Sequence, residues 1–248
     1  MKTIYILWLR QIKRYWRSKS RVVGSLGQPL LFLIALGFGF GPIFQRAGGG
    51  NYIQFLAPGI IAMSILFTSM FNGIEVIWDR QFGFLKETLV APISRIKIMI
   101  GRTLGGATVA TIQGMIVFVM SLAVGFRPAN WVYVFLSLIF MFLIALLFTS
   151  IGTAIASKLE DMHGFQLIMN FIIMPVFFLS GALFPLDGMP KAIEIFTKVN
   201  PLTYGVGALR QTFSGILDFK LVVNFGILAG AAVFFGLIGA YLFSKIEI

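Results

Sequence analysis

The chain has 248 residues, 58% of them hydrophobic and only 12% charged, with a mean hydropathy of +0.92. A soluble domain carries roughly 25% charged residues, so the composition excludes an ordinary soluble enzyme and indicates one integral membrane domain. The net charge of +11 is read as basic residues holding loops on one side of a bilayer, since no soluble basic domain is present to bind nucleic acid.

The first 21 residues do not read as a signal peptide, because the apolar run that follows exceeds the roughly 7–15 residues of a signal core. They predict an amphipathic helix over 3–19. Tyr5, Trp8, Leu9, Ile12, Tyr15 and Trp16 share one face, and Arg10, Lys13, Arg14 and Arg17 the other. A basic, aromatic-rich helix of this kind lies in the membrane interface.

Six stretches free of Asp, Glu, Lys and Arg follow: 22–45, 47–74, 103–126, 128–157, 164–186 and 221–244. Each has 23 or more residues, against the roughly 20 that a helix needs to cross a bilayer. They predict spans at 22–44, 52–76, 103–125, 131–156, 164–186 and 221–243. Helices are the expected form because the backbone must satisfy itself in lipid. The fold class is therefore an all-α integral membrane protein with six transmembrane helices. An even number of spans puts both termini on one side. That side holds 14 of the 20 Lys and Arg residues and is assigned to the cytoplasm.

Between spans two and three lies "FGFLKETLVAPISR" (82–95), a short amphipathic piece on the cytoplasmic side. Phe82, Leu85 and Leu89 recur at i, i+3 and i+7 on one face, Lys86 and Glu87 lie off it, and Pro92 stops the helix. Two readings are open: a helix that docks into a groove of a soluble subunit, or one that lies flat on the membrane. Glu75 and Asp79, four residues apart near the cytoplasmic end of span two, are read as interfacial capping or salt-bridging groups. Small residues predict close helix contacts: Gly106, Ala110 and Gly114 in span three, and Ala232, Gly236 and Ala240 in span six. The external connection 187–220 contains an apolar piece too short to cross; it is either a pair of short helices dipping into the outer leaflet or a structured exposed loop.

Catalytic chemistry is not expected. No cysteine and a single histidine, His163, exclude disulfides and argue against a metal centre. Ser180 and His163 do not meet the requirements of an intramembrane serine protease. No glycine is followed by lysine, so there is no phosphate-binding loop, and this chain is expected to bind no cofactor of its own.

The whole chain resembles the ATP-binding-cassette type-2 permease family. The resemblance is carried by the amphipathic first helix, "GQPLLFLIALGFGF" (27–40), "WDRQFGFLKETLVAPISR" (78–95), "FFLSGALFPLDGMP" (177–190) and "NPLTYGVGALRQ" (200–211). It implies a half-transporter for drugs, lipids or glycans. A second permease chain, identical or similar, would complete the pore, and two cytoplasmic ATPase subunits would consume ATP and Mg. The loop residues Phe82, Gly83, Phe84, Leu85, Lys86, Glu87 and Thr88 would form the coupling helix against the ATPase. Trp8, Arg10, Arg14, Trp16 and Arg17 would mark the interfacial helix, and short re-entrant helices would precede span six. An ATP-independent channel or carrier, or a membrane scaffold, are the competing readings.

Overall fold

In the computed structural model, residues 2–48, 50–84, 88, 90, 93–186 and 190–246 are described. Ten helices are defined among them: α1 Lys2–Arg17, α2 Lys19–Arg46, α3 Tyr52–Phe71, α4 Ile74–Gln81, α5 Arg95–Val124, α6 Trp131–Ala156, α7 Met162–Phe178, α8 Lys191–Val199, α9 Pro201–Ser214 and α10 Phe219–Ser244. No strand occurs among the described residues. Many starts are chemically specified. Asn51, Asn130, Asp161, Asn200 and Asp218 each accept a hydrogen bond from a backbone N–H of the first turn, and Pro201 occupies the first turn of α9, where no donor is needed. Gly125 and Gly215, at φ 111° and 74°, close α5 and α9.

Five helical stretches are long and apolar enough to cross a membrane: α2, the run Tyr52–Gln81 formed by α3 and α4, α5, α6 and α10. The protein is thus a multi-pass membrane protein. The expected fifth span, 164–186, is corrected in extent: helix α7 stops at Phe178 after 17 residues, about 26 Å of rise, at the lower end of the lengths that cross a bilayer. Residues 179–186 turn instead, with Gly181 at φ 74°. Three smaller differences concern boundaries. The second span runs on to Gln81 with a break at Asn72–Gly73, the third begins at Arg95, and the first begins at Lys19.

Helix α3 is the central element. Residues 56–66 are all buried, and α2, α5, α6, α7 and α9 surround it. Helices α2 and α10 lie at the rim: α2 buries only Pro29, Leu33 and Gly37, and α10 only Leu228, Ala232, Gly239 and Phe243. At the α3–α4 break the backbone meets α6 directly, since a Cβ on Gly73 would lie 2.4 Å from the Gly152 carbonyl oxygen.

Two ends of the bundle are defined by contacts. At one, Arg95 donates to the carbonyls of Ser244 and Ile246, Gln81 to that of Glu160, and Trp78 to the Met162 sulfur. At the other, Tyr52 donates to the Leu183 carbonyl, Ala129 to that of Phe213, and Gln54 meets Gly125. Helix α1 and the loop after α4 belong to the first end.

Candidate functional site

The expected interfacial helix has a partner within the chain. Helix α1 runs beside the first half of α5 in the same direction. A Cβ on Gly101 would touch Leu7 and Ile4, one on Gly105 would touch Gln11 and Trp8, Trp8 donates to Thr108, and Tyr15 donates to Gln113. The nearly constant offset between partners means a shallow crossing over about three turns. Burial pushes the Tyr15 phenol up to about 12. The buried face is thus Leu7, Gln11 and Tyr15, while Trp16 and Tyr5 are exposed. The aromatic face inferred from spacing is divided between protein and surroundings.

The basic face of α1 closes on two carboxylates. Arg10 forms a two-pronged pair with Asp79, 3.1 and 3.0 Å. Arg14 lies 3.6 Å from Glu75 and 3.8 Å from Asp79, and Arg21 at the start of α2 lies 3.3 Å from Glu75. Arg102 reaches Asp79 from α5 at 2.6 Å. Glu75, Asp79 and Arg102 are 4–5% exposed. At such burial the attraction between charges is strong, but each carboxylate must be paired to offset its lost hydration. The guanidinium groups of Arg14 and Arg21 also lie 5.4 and 5.3 Å from the Trp78 ring. The cluster welds α1, α2, α4 and α5 into one block, which is the salt-bridging role expected of Glu75 and Asp79.

The loop emerges from this block. Helix α4 ends at Gln81, and Gly83, at φ 80°, turns the chain in a conformation that favours glycine. Phe84 returns beneath the Arg10 guanidinium, 3.9 Å from ring centroid to carbon. The Thr88 hydroxyl donates to the Phe84 carbonyl at 2.8 Å, and Phe84, Thr88 and Val90 are helical. Leu85, Lys86, Glu87 and Leu89 lie outside the described residues. Phe84 and Thr88 face Thr3, Ile6 and Leu7 of α1 across a shallow groove. Phe82 and Val90 point away, 79% and 83% exposed. One side of the loop is therefore anchored and the other carries bare apolar side chains. Arg17 at the far end of α1 is also exposed.

The predicted packing residues fall in two groups. A Cβ on Gly106 would come 2.8 Å from Thr149, one on Gly114 2.6 Å from Ile65, and Ala110 is fully buried. Gly236 is different: its nearest neighbour, the Ser150 hydroxyl, is 3.9 Å from such a carbon. Gly239 makes the close approach in α10, with Met99 at 2.7 Å.

Several structural residues carry no spacing signal. At the opposite end Arg210 of α9 donates to the Gly181 and Ala182 carbonyls at 2.7 and 3.2 Å, and its guanidinium lies 3.7 Å from the Phe55 ring. Asn200 donates to the Val176 carbonyl at 2.6 Å. These side chains occupy carbonyls released where α7 ends, so the irregular segment 180–183 is buried without helical bonds. Gly59 makes room for it: a Cβ there would lie 2.2 Å from the Ala182 oxygen. At the α3–α4 break Asn72 donates to the Gly106 carbonyl of α5 at 3.0 Å, tying the break to that helix. Among the described residues no cluster of His, Cys, Asp and Glu could hold a metal ion.

The family model described as ABC-2 type transporter matches residues 2–214. The chain is 28% identical to a putative transport permease, ycf38, of Cyanophora paradoxa, over 99% of this chain and 89% of that protein. It is 29% identical to the inner membrane transport permease YadH of Escherichia coli K12, over 94% and 91%. It is 27% identical to nodulation protein J of Rhizobium leguminosarum bv. viciae, over 86% and 83%. A match over most of the chain, on helices that form a multi-pass bundle, settles membership: this protein belongs to the ABC-2 type transporter family.

Proposed function

We propose that the chain is the membrane permease subunit of an ATP-driven exporter, working with a separate cytoplasmic ATPase. The observation that carries this reading is the loop after α4. Its inner side is fixed to α1 by Phe84 beneath Arg10, while Phe82 and Val90 are bare. An apolar side chain held outward on a rigid base suits insertion into a groove of a partner. The charge cluster behind it joins four helices, so a push on the loop reaches α1, α2, α4 and α5 together.

In this scheme two ATPase subunits and a second permease chain, identical or similar, complete the transporter. Both termini and the loop face the cytoplasm, in accord with the excess of Lys and Arg at that end. ATP binding closes the ATPase pair, Phe82 to Thr88 transmit the motion, and cargo leaves outward. The scarcity of buried charge away from the cluster favours a hydrophobic, amphipathic or lipid-linked cargo. Relatives named transport permease and inner membrane transport permease support the transport role and the membrane location. Helices α8 and α9 act as short re-entrant helices from the outer side, as the close contact of Gly205 with Ile144 inside α6 suggests.

The test is ATP turnover by the complex purified with its co-encoded ATPase. Phe82→Asp combined with Val90→Asp should leave the permease folded and reduce permease-dependent turnover at least about tenfold, since each charge would be pressed into an apolar groove at a cost above 1.4 kcal/mol. Unchanged turnover and association would refute the coupling role.

A further inference from the structure

A cavity of about 340 Å³ lies between α1, α2, the α3–α4 break and α5, with the exposed Arg21, Ser25 and Gln28 of α2 at its rim. Its apolar wall includes Pro29, Met63, Phe67 and Phe71. Beside the Met63, Phe67 and Phe71 row on α3, and continuing across the break into α4, Ser64, Thr68, Asn72 and Glu75 follow one another at intervals of four, four and three residues. The polar stripe is incompletely satisfied. Ser64 is 3% exposed and Glu75 4%, yet the Ser64 hydroxyl and Glu75 Oε2 have no hydrogen-bond partner. The Asn72 amide nitrogen is used by the Gly106 carbonyl.

Buried polar atoms are nearly always hydrogen-bonded, so these groups mark a place for something that bonds them. Charge selects among the candidates. Glu75 is already flanked by Arg14 and Arg21 at 3.6 and 3.3 Å, so a cationic head gains little. Around Ser64 the wall of Pro29, Met63 and Phe67 is apolar, so an anionic head would lose its hydration there with no counter-charge. A hydroxyl suits the Ser64 end of the stripe, where it accepts from the Ser64 hydroxyl; Asn72 and Glu75 lie about 12 and 16 Å further along the helical run, so only a polyol could reach them as well. An apolar body then fills the wall of Met63, Phe67 and Phe71.

We propose that this cavity binds an uncharged amphiphile with an alcohol or polyol head and one apolar body, wholly within a single permease chain. The inference is independent of ATP-driven transport and requires no second chain.

Trp78 lines the same cavity and serves as reporter. A full-length form with Trp8, Trp16 and Trp131 changed to Phe, in nanodiscs, is titrated with an ω-bromo long-chain alcohol, the matching carboxylate and the matching trimethylammonium, each at measured bilayer mole fraction. Expected is saturable quenching of Trp78 by the alcohol, with half-saturation roughly tenfold lower than for either charged probe, the effect of about one hydrogen bond. Ser64→Leu should abolish the saturable phase and Ser64→Thr should keep it. Linear quenching by all three probes, a preference for a charged probe, or an unchanged titration in Ser64→Leu would overturn the proposal. Should the single-tryptophan form not fold, native mass spectrometry of the wild-type chain decides: one alcohol retained per chain supports the site, and none retained refutes it.

Discussion

Asp79 is the residue on which most of the cytoplasmic end depends. Arg10 and Arg102 both bond it directly, and Arg102 is 4% exposed. Asp79→Ala would leave that guanidinium buried without its counter-charge and should cost about 3–5 kcal/mol, read as a lower thermal midpoint of the purified chain. Adding Arg102→Met should recover part of the loss, because an uncharged side chain needs no partner there. Arg210 tests the opposite end. Arg210→Ala removes the donor to the Gly181 and Ala182 carbonyls and should cost about 1.5–3 kcal/mol. Lysine offers a point charge instead of a fork, so Arg210→Lys should restore only a fraction. The sequence displays these charges but not their partners. Arg10 and Asp79 are 69 positions apart, and only the fold brings them together. The four-residue spacing of Glu75 and Asp79 was legible as a shared helix face, whereas Arg210 stood in an apolar segment with nothing to show what it would cap.

Helices were legible where their physics is local. Apolar runs, Asn and Asp caps and the glycines after α5 and α9 are all readable along the chain, so five spans agree with expectation apart from their ends. The run 164–186 is helical only in part, and hydropathy, which records only the side chains' preference for lipid, does not show where the helix stops. It cannot say that Asn200 and the Ser180 hydroxyl take the last carbonyls of α7 and that Arg210 takes those of Gly181 and Ala182 beyond it. Small-residue spacing was informative for α5, which is flanked by neighbours on several sides. Within the chain the tight glycine of α10, a rim helix with few buried positions, is Gly239, with Met99 at 2.7 Å, rather than Gly236. A paired measurement follows. Gly59→Ala places a carbon against the Ala182 backbone, which cannot swing aside, and should cost about 1–3 kcal/mol. Gly236→Ala meets only ordinary contact and should change stability by less than about 0.5 kcal/mol. Thermal melts of the two variants under one condition check both.

At the scale of the molecule, one end combines a charge-locked block of four helices with an outward apolar loop, and the other combines an interrupted helix with α9. Family membership was legible from the quoted segments, because they coincide with places where the backbone must do something special: the Gly83 turn, the end of α7, and the cap at Asn200. The anchoring of the loop to α1 was not legible, since Phe84 meets Arg10 only after the chain has returned through three helices. The central claim is that force enters through this loop from a cytoplasmic partner. The chain has no cysteine, so Phe82→Cys and Leu217→Cys each provide a unique site for a photo-crosslinker, one at either end of the bundle. In cells co-expressing the cognate ATPase, the account predicts capture of that ATPase from position 82 and none from position 217. Capture from 217, or none from 82 in a complex that still turns over ATP, would contradict it.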